Sequence, residues 1–157
     1  MKIGAFDQST KITGVSIFED GELIKYWHID SNIKENMPFK RIIKTRNMIK
    51  QIITENKLDY IILEQCQFQR NFATYQQLSV LQGALVGMLY DLDKPFTIVP
   101  PSTWKSFCGI KGKKRAEQKA NTIKMVKEKF NLNVTEHEAD SIGIGLWAVD
   151  NVTLEDK

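Results

Sequence analysis

Cysteine occurs only twice in the 157 residues, at positions 66 and 108, and the two form no CxxC pair. Neither a disulfide framework nor a thiolate zinc site is implied, and a reducing cytoplasm is the expected setting. Long apolar runs are missing as well. The densest stretch, residues 80–90, is broken by Gln82, Gly83 and Gly87 and falls short of the roughly 18 apolar residues of a membrane span. Met1-Lys2-Ile3-Gly4 leads into an extended segment rather than the apolar core of a signal peptide. No repeat, linker or low-complexity tract divides the chain, so one domain over residues 1–157 is expected. A chain this long buries roughly 68–70% of its unfolded surface and needs no disulfide or metal staple. With 42% hydrophobic and 26% charged residues, disordered, collagenous and coiled-coil readings drop out.

Net charge is only +3, yet it is unevenly spread. Residues 34–57 carry +5 and residues 105–130 carry +7, whereas 131–157 carry −5. Two basic blocks beside an acidic C-terminal segment suit a polyanion-binding surface next to a cation site. The plainer reading of either block is a helix with solvated lysines.

The chain opens with strand signals. Residues 2–9 are extended and 12–19 are rich in β-formers. Asp20-Gly21 marks a hairpin before residues 22–29, which gives an antiparallel three-strand meander. Over residues 38–56 the period changes to helical, with Phe39, Ile42, Ile43, Ile49, Ile52 and Ile53 on one face. Residues 58–64 form a nearly continuous apolar run, which reads as a buried, parallel strand. A second helix over 72–92 has two non-polar faces. One is the stripe Tyr75, Leu78, Leu81, Leu85, Met88 and Leu92; the other holds Val80, Ala84 and Gly87. A sheet can bury only one of them, which implies a homodimer built on this helix. Residues 96–99 read as a strand stopped by Pro100-Pro101, residues 105–115 as a flexible basic loop, and 116–130 and 136–150 as the last helices. The expected class is α/β, a mixed five-stranded sheet flanked by helices.

Three acids stand in unusual company. Asp7 sits near the end of the first strand, where alone it would read as a turn cap. Glu64 closes the apolar strand, where a buried charge needs a partner or a metal. Asp140 lies among Ala139, Ile142 and Gly143 on the last helix. If the two strand ends are adjacent and the last helix crosses them, their repulsion calls for a divalent cation, Mg²⁺ or Mn²⁺. Two such ions can activate water and stabilise a leaving phosphate oxygen. Thr135-Glu136-His137-Glu138 matches a helix capping box, which assigns Glu138 to capping, although metal contact stays open for it. His137 precedes Asp140 by three residues and shares its helix face, so it is a candidate fourth ligand.

The segments FDQSTKITGVSIFEDGEL, IILEQCQF, PSTWKSFCGIKGKKRAEQ and HEADSIGIG, in this order and spacing, resemble the RuvC family of Holliday-junction resolvases. The similarity spans nearly the whole chain. It implies an RNase H-like fold, a homodimer, two divalent metals and cleavage of branched DNA, chiefly four-way junctions. It matches Asp7, Glu64 and Asp140 to the family's metal carboxylates, and His137 to a position held by Asp or His. Phe68 resembles an aromatic inserted near the branch point; core packing is its alternative. Lys105 matches a lysine placed against DNA near the cut. A second family lysine opens the next helix, and Lys113, Lys114 or Arg115 could serve; with Lys111 they make a basic DNA-binding loop. The short, Lys/Ile/Asn-rich chain is most similar to a phage-encoded branch, which would act in the bacterial cytoplasm. A partner helicase is not readable. RNA–DNA hybrid cleavage and a non-catalytic junction-binding module remain alternatives. A sugar-kinase-like ATPase is a further one, because DQSTKITG also resembles a phosphate-binding hairpin, but that architecture needs two lobes.

Overall fold

A computed structural model describes residues 1–31 and 37–155. Lys34 and Glu35 of the first basic block, and Asp156 and Lys157, lie outside the described residues. The chain runs β1 (Lys2–Asp7), β2 (Ile12–Glu19), β3 (Glu22–Asp30), α1 (Pro38–Glu55), β4 (Tyr60–Glu64), α2 (Phe72–Asp91), β5 (Phe96–Val99), α3 (Pro101–Phe107), α4 (Arg115–Phe130) and α5 (Glu136–Asn151). The strands form one sheet in the order β3-β2-β1-β4-β5. β1, β2 and β3 pair antiparallel, turning at Asp20 and Gly21, both of which adopt positive φ as a tight hairpin turn requires. β4 pairs parallel with β1, and β5 parallel with β4.

Strand periodicity sorts the core into two layers. Phe6, Val15, Ile17, Ile61 and Leu63 face α1 and α2, packing on Ile42, Ile49, Ile53, Leu81, Leu85 and Leu89. Ile3, Ala5, Tyr60, Ile62 and Val99 face the other way, onto Trp104, Ile144 and Ala148. The same two-residue period sends the strand-terminal Asp7 and Glu64 to this second face. Beyond α5, Val126 of α4 closes a third cluster with Phe18, Ala139 and Ile142.

Two expectations are corrected. Residues 105–115 are not one loop. Pro101 opens a short helix that carries Trp104 and Lys105, because proline at the first helical position gives up an N–H that has no partner there anyway. On α1, Ile42, Thr45, Ile49, Ile52 and Ile53 are buried, but Phe39 and Ile43 are 62% and 45% exposed. The helix offers the sheet a narrower stripe than its apolar residues suggest, and Phe39 and Ile43 fall to its side.

Candidate active site

The site begins where β1 and β4 end. Their parallel register aligns Phe6 with Leu63, so the next residues, Asp7 and Glu64, stand side by side. Gln8 locks this arrangement: its side-chain amide donates to the Glu64 carbonyl at 2.5 Å and accepts from the Glu64 N–H at 3.1 Å. One side chain thus extends the ladder by a rung after the backbone of β1 has diverged.

The N-terminus of α5 is seated across these strand ends by close backbone approach. A Cβ at Gly14, the register partner of Asp7, would overlap the carbonyl oxygen of His137. Ser16, two residues further along β2, donates to the Ser141 carbonyl at 2.7 Å. The capping box is present, with Thr135 accepting from the Glu138 N–H and Glu138 from the Thr135 N–H. The second carboxylate oxygen of Glu138 lies 3.0 Å from Nδ1 of His28 on β3, so both its oxygens are engaged away from the cavity.

This packing brings Asp7, Glu64, His137 and Asp140 together on the wall of one cavity of about 460 Å³. Burial first, and then the Asp7 charge, push Glu64 up to about 8. The same two causes push Asp140 up to about 7. Nδ1 of His137 is 3.2 Å from Asp7 Oδ2, and this contact holds the imidazole above its ordinary value. When protonated, the imidazole partly neutralises the acids. As the side chains stand, no three such groups among the described residues are drawn together closely enough to hold an ion. Asp7 Oδ2 faces the imidazole, and Glu64 Oε2 accepts from the indole of Trp104 at 2.6 Å. In chemical type the set fits a hard divalent cation: three carboxylates and an imidazole share one cavity, and two of the acids are destabilised by burial and by the charge of a neighbouring carboxylate.

Cations ring the acids. Lys105 favours the charged forms of Glu64 and Asp140 and donates to Gln118 at 3.2 Å. Of the three residues left open by the sequence, Arg115 lines the cavity and donates to Gln69 at 3.0 Å. Lys113 and Lys114 do not line it, and Lys111 lines a neighbouring groove beside Lys105. Lys119 also lines the cavity, 3.0 Å from Glu136. Sequence reasoning missed Lys119; the available signal was that it follows Arg115 by one helical turn. Phe68 is 61% exposed on the loop after β4, its ring edge-on to Tyr75, so core packing is ruled out for it.

Solved structures share the fold. Thermus thermophilus RuvC in complex with a Holliday junction substrate matches with a TM-score of 0.74 at 14% identity, covering 94% of this chain and 91% of that one. The Fowlpox virus resolvase, solved with Holliday junction DNA, matches at 0.64 and 18%, covering 96% and 97%. The yeast mitochondrial Holliday junction resolvase matches at 0.65 and 14%, covering 94% and 78%. The mixed sheet and its helices are therefore the RNase H-like fold of these resolvases. No curated protein matches the sequence. A family model does, over residues 1–146, and the chain belongs to that family, the Lactococcus phage M3 proteins.

Proposed function

We propose that this protein is a metal-dependent endonuclease that binds and cleaves branched DNA, chiefly four-way junctions. The observation that carries the reading is the convergence of Asp7, Glu64, His137 and Asp140 in one cavity edged by Lys105, Arg115 and Lys119. Support comes from the fold, which is shared with resolvases solved on junction DNA.

Asp7, Glu64, His137 and Asp140 would hold Mg²⁺ or Mn²⁺, two ions per site in this reading. Bound there, the metals supply Lewis acidity toward the phosphate and a water activated as nucleophile. The protein's own groups do the rest. Lys105 meets negative charge growing on the phosphate, and a cation fixed beside buried acids does so with little reorganisation. Arg115 and Lys119, with Lys111, Lys113 and Lys114 nearby, bind the backbone, which gives affinity without sequence information. Phe68, exposed on the loop after β4, stacks on a base at the branch point.

The active unit is a homodimer through the outward face of α2. Val80 and Tyr90 are exposed there, and a Cβ at Gly83 or Gly87 would meet nothing within 4 Å, whereas Ala84, expected on that face, packs against the core. That surface lets a second helix approach closely. The host-cell cytoplasm is the setting this reading implies, and among the described residues no helix is long and apolar enough to cross a membrane.

A labelled four-way junction, an RNA–DNA hybrid and a linear duplex, each with and without Mg²⁺, test the reading. Paired cuts confined to the junction with metal are expected. Preferential cutting of the hybrid would replace this reading with a ribonuclease, and metal-dependent binding without cleavage would leave a junction-binding module.

A further inference from the structure

Trp104 is the largest fully buried side chain among the described residues, and its indole meets Glu64. An indole is an inconvenient core filler, because its N–H must find an acceptor once buried. Here the acceptor is not a backbone carbonyl but Oε2 of Glu64, at 2.6 Å. The fold makes specific room for the ring. A Cβ at Gly143 on α5 would lie 2.5 Å from it, so the helix carries no side chain at that point. The short helix α3 delivers the ring from one position and Lys105 from the next. The Lys105 ammonium lies 5.5 Å from the centroid of the same indole.

We infer that Trp104 is a positioning residue: its indole N–H fixes the rotamer of Glu64, turning one carboxylate oxygen away and leaving the other for metal. This rests on the metal-dependent reading above. Glu64 is a flexible side chain with three torsions, held through its backbone by Gln8. Its carboxylate would otherwise be free to swing away from the repelling Asp7. A donor fixed in the core prevents that, as outer hydrogen bonds do for ligands in metal sites generally. A ring kept only for packing would need no N–H at all.

The test separates the donor from the ring. Trp104→Phe removes the N–H and part of the volume. Replacement of Trp104 by 3-benzothienylalanine puts sulfur where the N–H was and keeps the bicyclic shape. Mn²⁺ binding by the full-length protein is read from the paramagnetic resonance of the free ion, and junction binding from gel shift. Both donor-less proteins should bind Mn²⁺ about tenfold more weakly and need correspondingly more metal for half-maximal cutting, with junction affinity unchanged. Wild-type Mn²⁺ affinity in the benzothienyl protein would overturn the inference, whatever Trp104→Phe does, because only packing would then be at stake. Glu64→Gln is the control. If it too binds Mn²⁺ like wild type, Glu64 is no ligand and both this inference and the metal assignment at Glu64 fall.

Discussion

Glu64 and Asp140 sit in environments that disfavour their charge. Asp7→Asn, Glu64→Gln and Asp140→Asn should each lower junction cleavage by at least about a hundredfold while leaving junction binding within about twofold, measured by gel assays in Mg²⁺. A variant that cuts at the wild-type rate would leave the site. Asp140→Asn carries a second expectation, in stability. The carboxyl of Asp140 is raised in the folded state, so the native protein binds more protons than the unfolded chain between the ordinary Asp range and about 7. Its contribution is fully present at acid pH and lost as pH climbs through that window. A neutral amide escapes the loss, so without metal at pH 8 the variant should melt about 2–4 °C higher than wild type, and below the ordinary Asp range the two should coincide. His137 differs, because the Asp7 contact favours its protonated form, and that form must give up its proton to bind metal. His137→Ala should raise the Mg²⁺ needed for half-maximal cutting, and His137→Asp should preserve activity, because carboxylate oxygen suits this cation. A metal titration of the alanine variant superimposable on wild type would remove the ligand role.

At the scale of elements, the site depends on how closely α5 lies on β2. Gly14→Ala would drive a methyl into the His137 carbonyl, with backbone on both sides of the clash and no flexible side chain to yield. The first turn of α5 must lift, carrying His137 and Asp140 from Asp7. A stability loss of about 1–3 kcal/mol in denaturant titration and a marked loss of cleavage should follow. Glycine on α2 behaves oppositely. Gly83 and Gly87 face open space, so alanine there removes helix-interior glycine at no steric cost within one chain. If α2 is the dimer face, Gly83→Glu or Gly87→Glu should produce a folded monomer by light scattering, one that no longer makes paired cuts. A dimeric mass in both variants would move the interface elsewhere.

Over the whole molecule, the described residues of the two basic blocks lie on different sides of the sheet. α1 packs on the face opposite the acids, whereas α3 and α4 flank the cavity. The salt dependence of junction binding should therefore arise mainly from residues 105–130. Neutralising Lys113, Lys114 and Arg115 together should flatten the slope of log affinity against log salt by about 0.9 for each phosphate that is no longer neutralised. Lys50→Gln on α1 should change it less. An unchanged slope in the triple variant would make the loop a solvated surface only.

Local chemistry determined much of this in advance. Alternation and apolar runs marked all five strands, the Asp20-Gly21 turn set the meander, and the capping box marked the start of α5, because each depends on residues within one turn or one strand. That Glu64 closes a strand and Asp7 lies near the end of one was also legible, since strand ends are punctuated by polar residues, although β1 stops at Asp7 rather than running on to residue 9. What tertiary structure alone decided are relations across long stretches of chain. His137 meets Asp7 across 130 positions, and Trp104 meets Glu64 across 40. Lys119 reaches the cavity only because α4 lies beside α5, and Phe39 and Ile43 stay outside only because α1 settles on a narrower stripe. Which face of a helix is buried, which cation reaches an acid and which indole finds a carboxylate depend on how elements dock. Docking is set by side-chain volumes where Gly14 meets His137 and Gly143 meets Trp104, and neither approach leaves a periodic trace in the sequence.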